Sequence, residues 1–571
     1  ISFTNPIYYS GYSIYGIVNS NRKRTAANAY GSGATGEINI SHNNKNSSIT
    51  EIAGIENGDN AIYGATGKIT ISALARAVFG IRSGSNAASA NSTGEINITI
   101  PETENFSTNI FGIAYNDYNA YGYNAYGSGS KGTISITTTG GYNTIYGLMG
   151  DIDNGAEGGI GTINITSEKL VKGSIIGIEG CNNSNGFGSS VNIKVNDQTT
   201  ENKGTSSLQS IKGMMSNSYN GASDPNMKND GTINISAAHN NFKIIGMDSI
   251  SANLINNGKI TIEGKRDIFN LETAGMQISG ATLKAKNEQN SSIDITIDGI
   301  SSIKHSFGTI ETVKGHSAKA YGMNALNSSS ISNRGSITIT HNNPNTINLY
   351  GMSTSGKGGQ ATNYKSGTIT INVTKSSEVD GNIYGMYAEK GASATNFGTI
   401  KLTTKSNNNN VYGMYADNAT ITNVGTIELS VTSTEKAFAM YAVNNSKLEL
   451  SKDGTIKIND TTITSSADSV TKKDGKEYIT LPTKKSAKSS SLQTFYIDKT
   501  SQIVNNGTIV SDIDFNANSD GGGKLVLAKG GKIIAPEIKG EITADANITS
   551  GGFDKTYSSE NAVSGKNDEV K

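Results

Sequence analysis

Two motifs repeat along this chain at one shared period, and that constrains its fold more than any other feature. The first is Gly, a small or charged residue, Ile, any residue, then Ile or Leu. It stands as GEINI at 36–40, GKITI at 67–71, GEINI at 94–98, GTISI at 132–136 and GTINI at 161–165 and 231–235. It continues as GKITI at 258–262, GSITI at 335–339, GTITI at 367–371, GTIKL at 398–402, GTIEL at 425–429 and GTIKI at 454–458. The second motif alternates with the first: apolar, aromatic or apolar, Gly, then Ile or Met. Its glycines include Gly16, Gly80, Gly147, Gly246, Gly351, Gly385 and Gly413, and Ala439 takes the same place in FAMYA. Both recur about every 32 residues, the signature of a stacked repeat architecture.

Each motif reads as a strand. Ile38 and Ile40 alternate with Glu37, Asn39 and Ser41, a period of two with one face in and one out. Ile at the inward positions is β-branched and suits a pleated surface. In the second motif the residue after Gly is apolar (Ile17, Leu148, Met247, Met386), and the next tolerates charge (Glu56, Arg82, Glu179, Asp248). That places the Ile or Met inward and its successor outward. The aromatic two before it, as in Tyr384 and Tyr412, is expected to share the inward face, with Lys212 as the exception. The Met column at 214, 247, 276, 323, 352, 386, 414 and 440 reads as core filling.

A strand pair in one repeat cannot bury its inward Ile alone, so coil must stack on coil. The expected fold is therefore all-β, a right-handed parallel β-helix or β-solenoid. About 14 or more coils of roughly 32 residues would form an elongated rod on the order of 70 Å at one strand spacing per coil. Asn-rich stretches such as Asn407 to Asn410 suit the bends. The expected organisation is repetitive coils over 1–458, an irregular Lys-bearing insertion or loop-rich coil over 459–503, further coils over 504–550 and a polar tail over 551–571.

Composition narrows the function classes. Lys+Arg and Asp+Glu are both 48, so the formal charge is zero, without the basic stripe that nucleic acid selects. Nothing reaches the ~18 consecutive apolar residues that a membrane-spanning helix needs. The single Cys181 has no internal partner for a disulfide. The absence of a starting Met and signal peptide reads as a mature or excised fragment.

The sequences YGMYA (412–416), NVGTIELS (423–430) and IYGMYAEKGASATNFGTIKL (383–402) resemble the passenger repeats of large Gram-negative autotransporters, of Fusobacterium and Campylobacter type. The stretch GGFDKTYSSENAVSG (551–565) looks like the region before a linker into a translocating barrel. The resemblance implies a type V secreted passenger at the cell surface or outer membrane, tethered through a C-terminal barrel outside this chain. Members of that class are mostly adhesins, and some are toxins or proteases. The expected function is thus an adhesin or interaction stalk binding a host or bacterial surface protein or glycan through loops. The alternatives are a vacuolating-type toxin passenger and a glycan-cleaving β-helix.

No convergent catalytic set stands out, so the chain is expected not to be an enzyme and to need no cofactor. GSGATG (31–36) and GSGSKG (127–132) fit the dinucleotide pattern, but each runs into a strand where that fingerprint requires a helix. His42, His239 and His341 share one context, His-Asn-Asn after the Ile strand, and read as solvated turn residues in distant coils. Asp512, Asp514 and Asp520 alternate with Asn516 and Asn518 as oxygen donors, a calcium candidate set against a solvated strand. Tyr115, Tyr118, Tyr121 and Tyr123 lie in YNDYNAYGYNAYG, a candidate contact surface set against laddering in the core, since Tyr126 belongs to the repeat.

Overall fold

The computed structural model describes residues 2–3, 13–18, most of 27–458 and the backbone of short strands between 461 and 557. The longer connections, among them 43–48, 102–107, 115–122, 197–207, 217–225 and 299–317, lie outside that description. The described elements are all strands, stacked as a parallel β-solenoid. The chain divides into two units, residues 1–277 with 291–316 and residues 278–290 with 317–571.

In the first unit, the Ile strands run from Thr35–His42 and Thr66–Ala73 through Lys131–Thr138 to Ser292–Asp298. Each pairs in parallel with the next, and like faces like: Ile38 with Ile69, Ile96 with Ile134, Ile134 with Ile163. The Gly strands form a second ladder, from Ser13–Val18 and Glu51–Glu56 to Lys243–Ser249. A third, shorter ladder pairs Asn226–Asn229 with Asn253–Asn256. Toward the N-terminal end of this unit two tyrosines, Tyr30 and Tyr126, pack against the glycines that open the Ile strands. A Cβ at Gly36 or Gly132 would collide with the ring of Tyr30 or Tyr126 respectively. Tyr126 is fully buried and its hydroxyl donates to the Thr162 carbonyl at 3.4 Å. GSGATG and GSGSKG thus belong to turns, with Gly33 and Gly129 at positive φ, that lead into strands.

The second unit repeats the plan. Its Ile strands are Ser336–His341, Thr368–Val373, Thr399–Thr404, Thr426–Val431 and Thr455–Ile458. Its Gly strands run from Ala318–Leu326 to Ala437–Val443. Its third ladder runs from Lys284–Asn287 and Ser330–Asn333 through Ser393–Asn396 to Thr420–Asn423 and onward. Here a column of buried asparagines links coil to coil, side-chain amide to side-chain amide. Asn287 donates to Asn333 at 2.8 Å, Asn333 to Asn363 at 2.9 Å, Asn363 to Asn396 at 2.8 Å and Asn396 to Asn423 at 2.9 Å. A buried polar group is tolerated only when bonded, and this column satisfies each amide from the neighbouring coil.

The Ile and Gly strands pack on each other at close range, which explains why the two motifs share one period. A Cβ at Gly413 would lie 2.6 Å from Ile427 Cγ2 and 2.5 Å from the Ala439 carbonyl oxygen. In the first unit, a Cβ at Gly147 would lie 2.5 Å from both Ile163 Cγ2 and the Gly177 carbonyl oxygen. No side chain fits between the layers at Gly147 or Gly413, and the last coil of the column whose side chains are described takes only the methyl of Ala439. Met214, Met247, Met276, Met323, Met352, Met386, Met414 and Met440 are all fully buried beside it.

Past Ile458 the parallel order breaks. Thr461–Thr464 turns back antiparallel to Thr455–Ile458, and Val470–Lys473 pairs antiparallel with Lys476–Ile479. Meanwhile Ala437–Val443 pairs in parallel with Leu492–Ile497, and Lys447–Leu450 with Gln502–Asn505.

Three local expectations are corrected. His42 and His341 are not solvated: each is the last inward residue of its strand and is buried, because the Ile alternation runs one pair further than the motif shows. His239 lies outside the described residues. Left-handed bends fall at Asn418 and Asn444; of Asn407 to Asn410, the last two open a strand and Asn407 and Asn408 lie outside the described residues. The aromatic before the Gly is buried in the second unit, but in a ring cluster with its neighbours on adjacent coils rather than in the Met column.

Candidate functional site

The ladder between Gly381–Glu389 and Asn409–Asp417 pairs Tyr384 with Tyr412 and Met386 with Met414, but leaves the intervening glycines unpaired. Strand alternation is broken there. Ile383 and Met386 are both buried in the core, and the residue before the Gly packs in a separate ring cluster in which Tyr384 and Tyr412 are buried as well. Lys212 occupies the same place in the first unit, where its ammonium reaches Asp248 of the next coil at 2.8 Å. One backbone device therefore accounts for both the aromatic column and its lysine exception.

In the second unit this column is a stack of rings. Tyr321 lies 4.7 Å from Tyr350, Tyr350 4.8 Å from Tyr384, Tyr384 5.0 Å from Tyr412 and Tyr412 5.8 Å from Phe438. A second stack runs beside it at the position after the Met: Tyr387 to Tyr415 at 5.2 Å, and Tyr415 to Tyr441 at 4.9 Å. Rings of the two stacks meet edge to face, as Tyr384 with Tyr415 at 5.3 Å and 83°. Stacked and edge-to-face contacts are the two favourable ring geometries. The first stack is largely buried beneath the second, whose rings remain half-buried at the surface.

Polar groups close the two ends of each strand. At the start, Asn410 donates to the Asn382 side chain at 3.0 Å, and Asn348 accepts from the Asn382 backbone N–H at 3.0 Å. At the end, Glu389 and Asp417 stand in register on adjacent coils. Glu389 accepts from Tyr387 Oη at 3.0 Å and Ser355 Oγ at 2.9 Å and pairs with Lys390 at 3.1 Å. Asp417 accepts from Asn444 at 2.7 Å. Burial pushes the Glu389 carboxyl up, but hydrogen bonds from Lys390, Ser355 and Tyr387 outweigh it and hold the group below its ordinary range. Burial, followed by the charge of Glu389, pushes the Tyr350 hydroxyl up to about 12, and burial raises Tyr384 and Tyr387 as well. These hydroxyls remain protonated donors at neutral pH. Two successive coils thus display one set in register, Asn382, Tyr387 and Glu389, then Asn410, Tyr415 and Asp417, over the buried Tyr384 and Tyr412.

The corresponding surface of the first unit is charged. Phe79, Phe111 and Tyr146 stack at 4.7 and 5.2 Å, and the Arg82 guanidinium lies 5.4 Å from the Phe79 ring centre. Arg82 is ion-paired with Glu51 and lies 3.8 Å from Glu56, and Lys243 pairs with Glu272 at 3.2 Å. Burial raises the Glu56 carboxyl; Arg82 opposes that rise and Glu51 adds to it. Glu179 stands four coils along the same column from Glu56, so the two do not form a pair at catalytic spacing.

Of the residues that the sequence singles out, Tyr115, Tyr118 and Tyr121 lie outside the described residues. Tyr123 belongs to a two-residue strand parallel to Ile152–Asp153, with its side chain outside the description. Asp512 and Asp520 also lie outside it, as does the side chain of Asp514. Among the described residues, no group of three or more His, Cys, Asp or Glu could hold a metal ion. The residues that sequence reasoning missed are Tyr387, Tyr415 and Tyr441. Their signal is the second aromatic of YGMYA, YGMYA and FAMYA, repeated over three coils.

A family model described as the BigA third pectate lyase-like domain matches residues 160–448. No curated protein and no solved structure matches the chain.

Proposed function

This chain belongs to the family of the BigA third pectate lyase-like domain, and from that premise we propose that it is a passenger displayed on a bacterial surface, where it adheres to partners through the aromatic face of its second unit. The observation that carries the reading is the set of Asn, surface Tyr and acid, presented twice in register at 382–389 and 410–417. A solenoid coil needs inward Ile, Gly and Met, but its fold places no such demand on the outward positions: other coils hold Lys212, Asp248 or Ser353 there. Tyrosines locked by their neighbours offer amphipathic contact area at low entropic cost. Glu389 is held ionised and so serves as a hydrogen-bond acceptor at the edge of this surface. In its finer form the proposal places the passenger on a Gram-negative outer membrane, tethered through a barrel.

The test is adhesion of the purified chain to host and bacterial cells. Tyr387→Ser with Tyr415→Ser should reduce binding by about tenfold or more, the loss typical of central aromatic anchors. Lys212→Ile in the first unit should leave it unchanged. Equal binding by the tyrosine variant and the unaltered chain would sink the proposal.

A further inference from the structure

We infer that the aromatic face of the second unit selects glycans bearing neutral hydroxyl, N-acetyl or amino groups and rejects sialylated and uronate-rich chains. The inference rests on the adhesin reading and names the partner class of that same surface.

The chemistry of the face points to sugar. Rings of Tyr387, Tyr415 and Tyr441 stack face on face into a rigid strip along the coil direction, so the strip offers a partner its ring edges, and the Tyr387 hydroxyl joins it to the Glu389 carboxylate. On one flank stand the Asn382 and Asn410 amides, and on the other the Glu389 and Asp417 carboxylates. These groups supply both acceptors and donors for hydroxyls. The strip is one strand wide and bounded by polar groups on both sides. That is narrow for a protein interface, which needs roughly 800 Å² from each partner. Its contacts recur at the strand spacing of about 4.8 Å, so a polymer of like units can engage several coils together.

Charge sets the selectivity. Glu389 and Asp417 are adjacent in register, and among the described residues the cation bonded to them is Lys390, which pairs with Glu389 and is itself 73% exposed. The end of the strip therefore carries an excess negative charge. A sugar carboxylate laid over Tyr387 and Tyr415 would meet like charge at short range, whereas an amine would meet its complement.

The experiment uses the intact chain on immobilised glycans: neutral and N-acetylated oligosaccharides, amino-sugar oligomers, sialylated oligosaccharides and polygalacturonate. The expected result is binding to the first two groups and at least about tenfold weaker binding to the last two. Tyr387→Ser and Tyr415→Ser should each weaken binding about tenfold, while Tyr387→Phe, which keeps the ring, stays within about twofold. Ser353 already fills this column one coil earlier, so the Ser variants fold. Glu389→Gln with Asp417→Asn should raise binding to the anionic probes about tenfold and lower binding to the amino probes. Anionic probes bound as well as neutral ones would overturn the inference, as would tyrosine variants that bind normally. The two readings separate on periodate-treated cells. Tyrosine-dependent adhesion that survives oxidation of the glycans keeps the adhesin and removes the glycan. Binding on the array without cell adhesion does the reverse.

Discussion

Lys212 in the first unit and Tyr384 in the second occupy the same place in their coils, immediately before the Gly that brings two strand layers together. The lysine reaches across to Asp248 on the next coil, while the tyrosine stacks on Tyr350 and Tyr412. Both solve one problem: a column of outward side chains a strand spacing apart must avoid repulsion and cover the layer beneath. Opposite charges do so pairwise and stay hydrated. Rings do so by stacking, and the solution propagates, because each added ring finds the last. The inner columns show no such divergence. Ile stands against Gly in both units, at Gly147 with Ile163 and at Gly413 with Ile427. The interior is fixed by the fold, and the outer column is free to carry function.

The sharpest way to break that comparison is to fill the inner column. Gly147→Val and Gly413→Val should each destabilise their coils by about 3 kcal/mol or more, since the new Cβ overlaps both Ile and a backbone carbonyl. The loss should be alike in the two units, whatever the outer column holds. Hydrogen exchange read coil by coil is the suitable measurement, because a solenoid unfolds in parts. A mild effect in one unit and a severe one in the other would mean that the layers are not equally close.

Acid tests the second unit next. His341 is buried with no hydrogen-bond partner at either ring nitrogen, and burial lowers its pKa from 6.5 to about 4. The unfolded chain binds a proton near 6.5 and the folded chain does not, so stability should fall as the pH drops from 6.5 through about 4. A shift of that size corresponds to roughly 3 kcal/mol across the window. His341→Val should remove most of this slope in the second unit, since Val373 holds the same position one coil on. Protection factors near Ser336–His341, corrected for the intrinsic pH dependence of exchange, that are equal at pH 7 and pH 4.5 would contradict the assignment.

The strands were legible in the sequence because Ile at alternate positions after Gly is a local pattern, repeated until chance is excluded. The direction of Tyr384 was not, because its alternation is reset by a Gly whose conformation depends on the Ile strand packed against it, a contact remote in sequence. His341 was misread for a related reason: a polar residue before Asn-Asn looks like a turn, and only the register Val373 imposes shows that the strand includes it. The asparagine column is similar. Asn396 and Asn423 stand two residues before a Gly in NFGT and NVGT, where a solvated corner is the natural reading. Their burial follows from stacking, which gives each amide a partner on the next coil. The aromatic face was half legible, since its first column belongs to the repeat and its second, Tyr387, Tyr415 and Tyr441 with Tyr496 in register beyond them, begins only late in the chain.

The smallest effect concerns the outer column itself. Lys212→Ile removes the ion pair with Asp248, whose side chains are 18% and 13% exposed, and places an Ile between Ile176 and Ile245. Losing the pair leaves the half-buried Asp248 short of its cation, while the new side chain gains apolar contact on both neighbouring coils. These contributions oppose each other, so the net change should stay within about 1 kcal/mol. Salt distinguishes the states better than stability does. The unaltered first unit should weaken slightly as ionic strength rises, through the screening of Lys212–Asp248 and Lys243–Glu272. The variant should respond less, and the second unit's Tyr350–Tyr384–Tyr412 column should not respond at all. If that column proved as salt-sensitive as the first unit, ring stacking would not be what holds it.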